Sequence, residues 1–269
     1  MEISIPGVTI KSANEMQTRM SMLLWGAAGC GKTTLAASAP GKKLLINFDP
    51  DGVMSLGARD DVLVMDLSRE KYNVVEKFKS DDPYNLSKVL SDDSYGIDTV
   101  IVDSLTSYSQ YAVEQGIANT KGATLERPSP GAYGARNALT LRLVAGMLRL
   151  TGKYNKNCIF ITHEDGPTTD DSGNVLYITM MLGGKLPDQA ALQISEVWFM
   201  MDTGKERRVL VRNGRTRKPM KSRMFDTRDK IEYISKYDPN GDDAPYGLHS
   251  LASFIQEYNA NGGNKIKLP

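Results

Sequence analysis

The sequence predicts an α/β fold built on a mainly parallel, twisted sheet flanked by helices, and three observations carry that expectation. Short runs rich in Val, Ile and Leu alternate with longer stretches of helical period. Most of the runs are continuously apolar, the pattern of strands covered on both faces. A glycine-rich segment joins one run directly to a helix. The 269 residues suffice for one large domain. It is expected as a core over 20–225, between an N-terminal segment over 1–19 and a C-terminal extension over 226–269 with one helix and a frayed tail.

Taken in order, the strand candidates are 21–26, 43–48 (KLLINF), 62–67 (VLVMDL), 99–103 (TVIVD), 158–162 (CIFIT), 196–201 (EVWFMM) and 208–212 (RVLVR). A C-terminal β-hairpin and a short terminal helix are expected as well. Helices are expected over 32–38, stopped by Pro40 and Gly41, and over 105–118, 133–150 and 248–258. In the third, Leu139, Leu143, Met147 and Leu150 fall on one stripe, which fits a helix packed on the core. The stretches 119–133 and 164–176 are rich in Gly, Pro, Ser, Thr and Asp and are long for plain connections, so both read as exposed functional loops.

Composition is ordinary for a water-soluble protein: 41% hydrophobic, 24% charged, with 33 basic against 32 acidic residues. A charge this balanced names no partner, so any polyanion surface must be local. No apolar run is long enough to span a bilayer, and the first residues lack the pattern of a secretory signal; a cytoplasmic protein without a membrane partner is expected. Cys30 and Cys158 suggest neither a disulfide framework nor a metal cluster.

The chemistry concentrates in GAAGCGKTT, Gly26 to Thr34, which fills G-x-x-x-x-G-K-[ST] between a strand and a helix. The ligand set is Gly26, Ala27, Ala28, Gly29, Cys30, Gly31, Lys32, Thr33 and Thr34. Glycines let backbone N–H groups turn inward onto phosphate oxygens, and the following helix presents its positive end to the same charge. Lys32 then reaches the β and γ phosphates and Thr33 holds Mg²⁺, so the ligand read from the motif is ATP or GTP with magnesium. Asp103, 71 residues after Lys32 at the end of TVIVD, is the expected second metal-site residue, an acid on a strand neighbouring the phosphate loop's own. Asp49 ends KLLINF and is the candidate for polarising the attacking water, although DPDG also fits a plain tight turn; Asp51 is the fallback. His163, ending the strand CIFIT, is the candidate sensor of the γ-phosphate, against a purely structural role.

This order of motifs resembles the RecA-type ATPase core across roughly residues 20 to 225. LLINFD is similar to the segment that ends in that family's catalytic glutamate, with Asp49 in its place; VIVDSL matches the second acidic motif, including Ser104; IFITHE resembles the strand ending in the family's glutamine, with His163 there instead. LGGKLPDQAALQISEVWFMM is similar to the segment beyond the family's second DNA loop. VLVRNGRT resembles a strand whose basic residues contact nucleotide on the neighbouring subunit. Within the superfamily, GAAGCGKTTLAAS and ITHEDG most resemble minimal phage-encoded RecA-like nucleotide-binding proteins of recombination and single-strand annealing. The resemblance implies ATP and Mg²⁺ as cofactors and Lys32, Asp49, Asp103 and His163 as catalytic residues. It further implies Arg212 and Arg215 acting in trans, and assembly with itself in a ring or filament. Single-stranded DNA is the implied partner, with a single-strand-binding protein as a further one.

The loop 164–176 carries Glu164, Asp165, Asp170 and Asp171 and no Lys or Arg, a poor surface for a phosphate backbone. DNA contact is therefore sought in Lys121 and Arg127, near Tyr133, and in Arg217 and Lys218. The latter pair lies in a segment, 205–223, with nine positive charges against Glu206 alone, which also fits a solvated hairpin. Tyr108 and Tyr111 are expected to pack. Rival readings are a motor or loader ATPase that remodels a protein, an ATP-gated binding module, and a small-molecule kinase, for which no arginine-rich lid is present.

Overall fold

The computed structural model describes residues 3–5, 8–10, 19–50, 52–57, 59–226, 235–237 and 250–267. Asp51, most of the segment 1–19 and much of the stretch after 226 lie outside the described residues, as do the first residues of the helix expected over 248–258.

A short antiparallel pair, β1 (Ile3–Ile5) and β2 (Val8–Ile10), comes first. The core then runs β3 (Ser21–Gly26), α1 (Lys32–Ala37), β4 (Lys42–Asn47), β5 (Val62–Asp66), α2 (Asn73–Lys77), α3 (Leu86–Ser91), β6 (Ile97–Asp103) and α4 (Leu105–Ala118). It continues through α5 (Pro130–Lys153), β7 (Asn157–His163), β8 (Thr168–Thr169), β9 (Val175–Tyr177), α6 (Leu186–Gln193), β10 (Glu196–Asp202) and β11 (Arg207–Leu210). β12 (Phe225–Asp226), β13 (Ser235–Tyr237), α7 (Leu251–Ala260) and β14 (Ile266–Lys267) follow.

The main sheet has the order β13-β11-β10-β3-β7-β6-β4-β5. Six strands, β10 to β5, are parallel, and β11 and β13 extend the β10 edge in antiparallel fashion. The α/β class with a mainly parallel sheet flanked by helices is therefore the observed fold, with the hairpin β10–β11 and the short helix α7 near its end. Successive residues of each central strand point to opposite faces, and each face has its own core. Leu24, Leu45, Ile101, Ile159, Trp198 and Met200 pack with α1 and α7, while Leu23, Trp25, Ile46, Val102, Phe160 and Phe199 pack with α4, α5 and α6. That is why those runs are continuously apolar. β5, at the edge, is the exception and leaves Leu63 and Val64 exposed.

The expected strand and helix positions hold to within one to three residues, and the expected stripe on α5 is buried at Leu143, Met147 and Leu150, with Leu139 half-buried. α5 is longer than expected at both ends; it starts early because Ser129 caps it through Ala132 N and Pro130 occupies its first turn, and it runs on to Lys153. The strand expected over 208–212 ends at Leu210. There the chain leaves the edge, and it returns at Lys221 to bridge Val197. Glu196 fastens this return. Its wholly buried carboxylate accepts from Trp198 Nε1 at 2.9 Å and Ser222 Oγ at 2.5 Å, and from the amides of Arg223 at 2.7 Å and Met224 at 3.3 Å. Burial pushes its pKa up against these donors. α7 docks through Leu251 N to Ser38 Oγ at 2.9 Å and through Phe254, stacked on Phe225 at 4.7 Å.

One expectation needs correction. β6, which carries Asp103, does not neighbour the phosphate-loop strand β3: β7 runs between them. The consequence is chemical, because the end of β7 brings His163 between the loop and the acids of β6 and β4.

Candidate active site

The segment 26–34 leaves β3 at the carboxyl end of the sheet, flanked by β10 and β7. Gly26 is pressed so closely on β10 that a β-carbon there would lie 2.0 Å from the carbonyl oxygen of Met200. Gly29 and Gly31 have φ of +75° and +96°, a region that favours glycine and lets the chain curl back on itself. Ala27, Ala28 and Gly29 are exposed at the lip, Cys30 is buried beneath them, and Gly31, Thr33 and Thr34 are half-buried. Burial raises the Cys30 thiol pKa, the neighbouring Lys32 charge opposing it, so Cys30 is a small packed residue rather than a thiolate. Lys32 is 5% exposed, and its ammonium turns into the loop, donating to Gly26 O at 2.9 Å and Ala27 O at 2.7 Å. Those are weak partners for a full charge, and a phosphate oxygen is a stronger one.

Three further strands end beside this loop, in register: Gly26 with His163, and Asn47 with Asp103. Thr33 Oγ1 donates to Asp103 Oδ2 at 2.7 Å. Burial lifts the Asp103 pKa to about 6, opposed by the Thr33 hydrogen bond and reinforced by the Asp49 charge. Asp49 is held from two sides, by Ser104 Oγ at 2.9 Å and by His163 Nε2 at 3.4 Å. Burial pushes its pKa up, but hydrogen bonds from His163, Ser107 and Ser104 outweigh it and keep the carboxyl below its ordinary value, so it stands ionised. The DPDG turn exists as well: Gly52 N donates to Asp49 O at 3.2 Å. Turn and site use different atoms of the same residue.

The protein groups fit Mg²⁺ shared with phosphates. Among the described residues no three His, Cys, Asp or Glu side chains gather into a metal-holding cluster. A hydroxyl and a carboxylate joined at 2.7 Å form the oxygen-only set that Mg²⁺ takes from a protein when phosphates and water supply the rest.

Sequence reading missed Thr106, and named Ser104 only as part of the acidic motif, not as a brace of these groups. Thr106 Oγ1 bonds Thr162 Oγ1 at 2.8 Å and accepts from His163 N at 3.0 Å, tying the start of α4 to the end of β7. Ser104 caps α4 through Ser107 N and also reaches Asp49. The run Ser104-Leu105-Thr106-Ser107 was the available signal, a helix-start pattern directly after the acid.

The remaining candidates come from other segments of the chain. Arg212 is half-buried and Arg215 exposed, both on the irregular segment after β11. Arg217 folds inward, 3.6 Å from Glu164 and 4.9 Å over the Phe199 ring, and Lys218 lies 5.6 Å over the Tyr177 ring. Lys121 and Arg127 are exposed on the loop between α4 and α5. That loop borders a cavity of about 570 Å³ lined by Leu125, Pro128, Tyr133, Arg136, Asp165 and Met181. Of the acidic loop, Glu164 is engaged by Arg217, and Asp170 accepts from the amides of Ser172 and Asn174 to shape its own turn. Tyr108 is buried, as expected; Tyr111 is half-buried and its hydroxyl donates to Phe48 O at 3.1 Å.

The family model of the AAA domain matches residues 18–231. Among solved structures, a crystal structure of the RadB recombinase aligns over 70% of this chain and 78% of its own at 13% identity, with a TM-score of 0.41. No curated protein matches the chain. With its phosphate loop and paired acids at the carboxyl end of a mainly parallel sheet, the chain belongs to the AAA domain family and is a nucleotide-binding ATPase of the P-loop type.

Proposed function

We propose that the protein is a Mg²⁺-dependent ATPase that acts on single-stranded DNA in recombination or strand annealing, as phage-encoded RecA-like proteins do, and that it assembles head to tail with nucleotide between subunits. The observation that carries the ATPase half is the convergence of Thr33 on Asp103 at 2.7 Å with Asp49 held by Ser104 and His163 beside the same loop. Lys32 exchanges its carbonyl partners for the triphosphate, and the loop amides fix its position. When bound, Mg²⁺ neutralises charge on the phosphates, with Thr33 and Asp103 as its protein side. Asp49 orients and polarises the attacking water, and His163 links the γ-phosphate end of the site to the segment that follows β7. Most of the rate gain on this scheme comes from positioning and charge stabilisation rather than covalent chemistry.

Support for the DNA half is local. Lys121 and Arg127 stand exposed beside the cavity in which Tyr133 and Arg136 face each other at 5.2 Å, a combination of cation and ring suited to a stacked base. Arg212 and Arg215 are the residues proposed to reach a neighbouring subunit's nucleotide, and a single-strand-binding protein is a compatible companion. A second reading, a motor or loader that remodels a protein, is favoured by the hairpin β8–β9, where Val175, Leu176 and Tyr177 are exposed on an acidic loop. The test is steady-state ATPase activity with and without a DNA oligonucleotide. Stimulation by single-stranded DNA is expected; ATPase activity indifferent to DNA in both rate and nucleotide affinity would reject the DNA half and leave the second reading.

A further inference from the structure

One cation at the phosphate loop is unaccounted for by the scheme above. Arg207 opens β11, two strands from β3, yet its side chain crosses the carboxyl end of β10 and lies on the loop: a β-carbon at Gly31 would sit 3.2 Å from each of Arg207 Cδ, Nε and Nη1. The guanidinium thus rests against the residue next to Lys32, whose own ammonium turns into the same loop. Among the described residues its one ion pair is loose, Nε to Asp202 Oδ2 at 3.5 Å across the β10–β11 register, and its side chain is 32% exposed. Asp202 has other employment, accepting from Gly204 N at 2.7 Å to close the turn between the two strands.

Position along the sheet says which part of a nucleotide such a cation meets. Asp49, His163 and Asp103 all stand at the ends of strands on the β7 side of the loop, whereas Arg207 comes from the β10 side. The groups that would handle the γ-phosphate and Arg207 therefore flank the loop from opposite directions. We propose that Arg207 is a nucleotide-binding residue in cis, its guanidinium taking the α or β phosphate and releasing Asp202 as it does so. A planar fork suits this task, since it offers two parallel donors to one phosphate. The exchange also ties the β10–β11 turn to the presence of any nucleotide, whether diphosphate or triphosphate.

The proposal rests on the phosphate-loop reading, and the test separates the two. Affinities for Mg·ATP and Mg·ADP are measured by calorimetry on the full chain for wild type, Arg207→Ala, Arg207→Lys and Asp202→Asn, together with KM and kcat. Arg207→Ala is expected to weaken ATP and ADP by the same factor, on the order of tenfold. KM should rise with kcat nearly unchanged, and Arg207→Lys should recover part of the loss. Asp202→Asn keeps an acceptor for Gly204 N but gives up the competing charge, so it is expected to tighten both nucleotides; this variant keeps the test decisive if Arg207→Ala folds poorly. Wild type that binds nucleotide while Arg207→Ala binds it equally well, or an Asp202→Asn variant that binds no more tightly, overturns the proposal and leaves the phosphate-loop reading intact. Folded wild type that binds no nucleotide overturns both.

Discussion

At Asp49 backbone and side chain do different work: the carbonyl closes a turn with Gly52 N, while the carboxylate is held by Ser104 and His163. An amide at this position keeps the size and can still accept from Ser104, but it cannot polarise water as a carboxylate does. Asp49→Asn is therefore expected to keep its nucleotide affinity and lose turnover by roughly 10²- to 10⁴-fold, read from steady-state ATPase rates beside calorimetric affinity. Unchanged turnover would remove Asp49 from the reaction. The residues legible in sequence were those whose role is local. Lys32 and Thr33 follow from the spacing of one loop, and Asp103 from an apolar run that stops on an acid. The placements of Arg207 and Thr106 escaped because they arise from contacts across 176 and 57 residues of chain, Arg207 with Gly31 and Thr106 with His163, which no local pattern announces.

Among elements, the central strands were legible because burial on both faces writes a continuous apolar run, and α5 because its stripe repeats over several turns. α2 and α3, five and six residues long, are too short for a period to show. Spatial order was not legible either: strands joined by crossovers can land on any neighbour, so nothing in the chain announced that β7 separates β3 from β6. At the return of the chain after β11 one carboxylate gathers four donors. Glu196 Oε2 accepts from Trp198 Nε1 and Ser222, and Oε1 from two amides. In Glu196→Gln one of those oxygens becomes an NH₂ facing donors; the Ser222 hydroxyl can turn round, but an N–H cannot. Glu196→Gln is expected to lose about 1–3 kcal/mol in a urea unfolding titration, with the fold retained. An unaltered midpoint would show that the carboxylate contributes nothing to holding 222–224 on the sheet.

For the molecule as a whole, the net charge of +1 leaves no global field to steer a polyanion, and no helix among the described residues is long and apolar enough to cross a membrane. On the proposed function, Arg215, exposed on the segment after β11, acts only where subunits are placed side by side. A head-to-tail contact closes into a ring or runs on as a filament. Arg215→Ala is expected to lower ATPase activity on the order of 10³-fold where subunits associate and to leave dilute monomer unaffected, measured as rate against protein concentration. An equal loss in a strictly monomeric preparation would argue against action in trans. Turnover, assembly and DNA contact all require that the loop from Gly26 to Thr34 binds a nucleoside triphosphate. Calorimetric titration of the folded protein with Mg·ATP tests this directly. One saturable site per chain is expected, lost in Lys32→Ala with the melting transition retained. Folded wild type giving neither heat nor a shift in melting temperature with any purine triphosphate would contradict it.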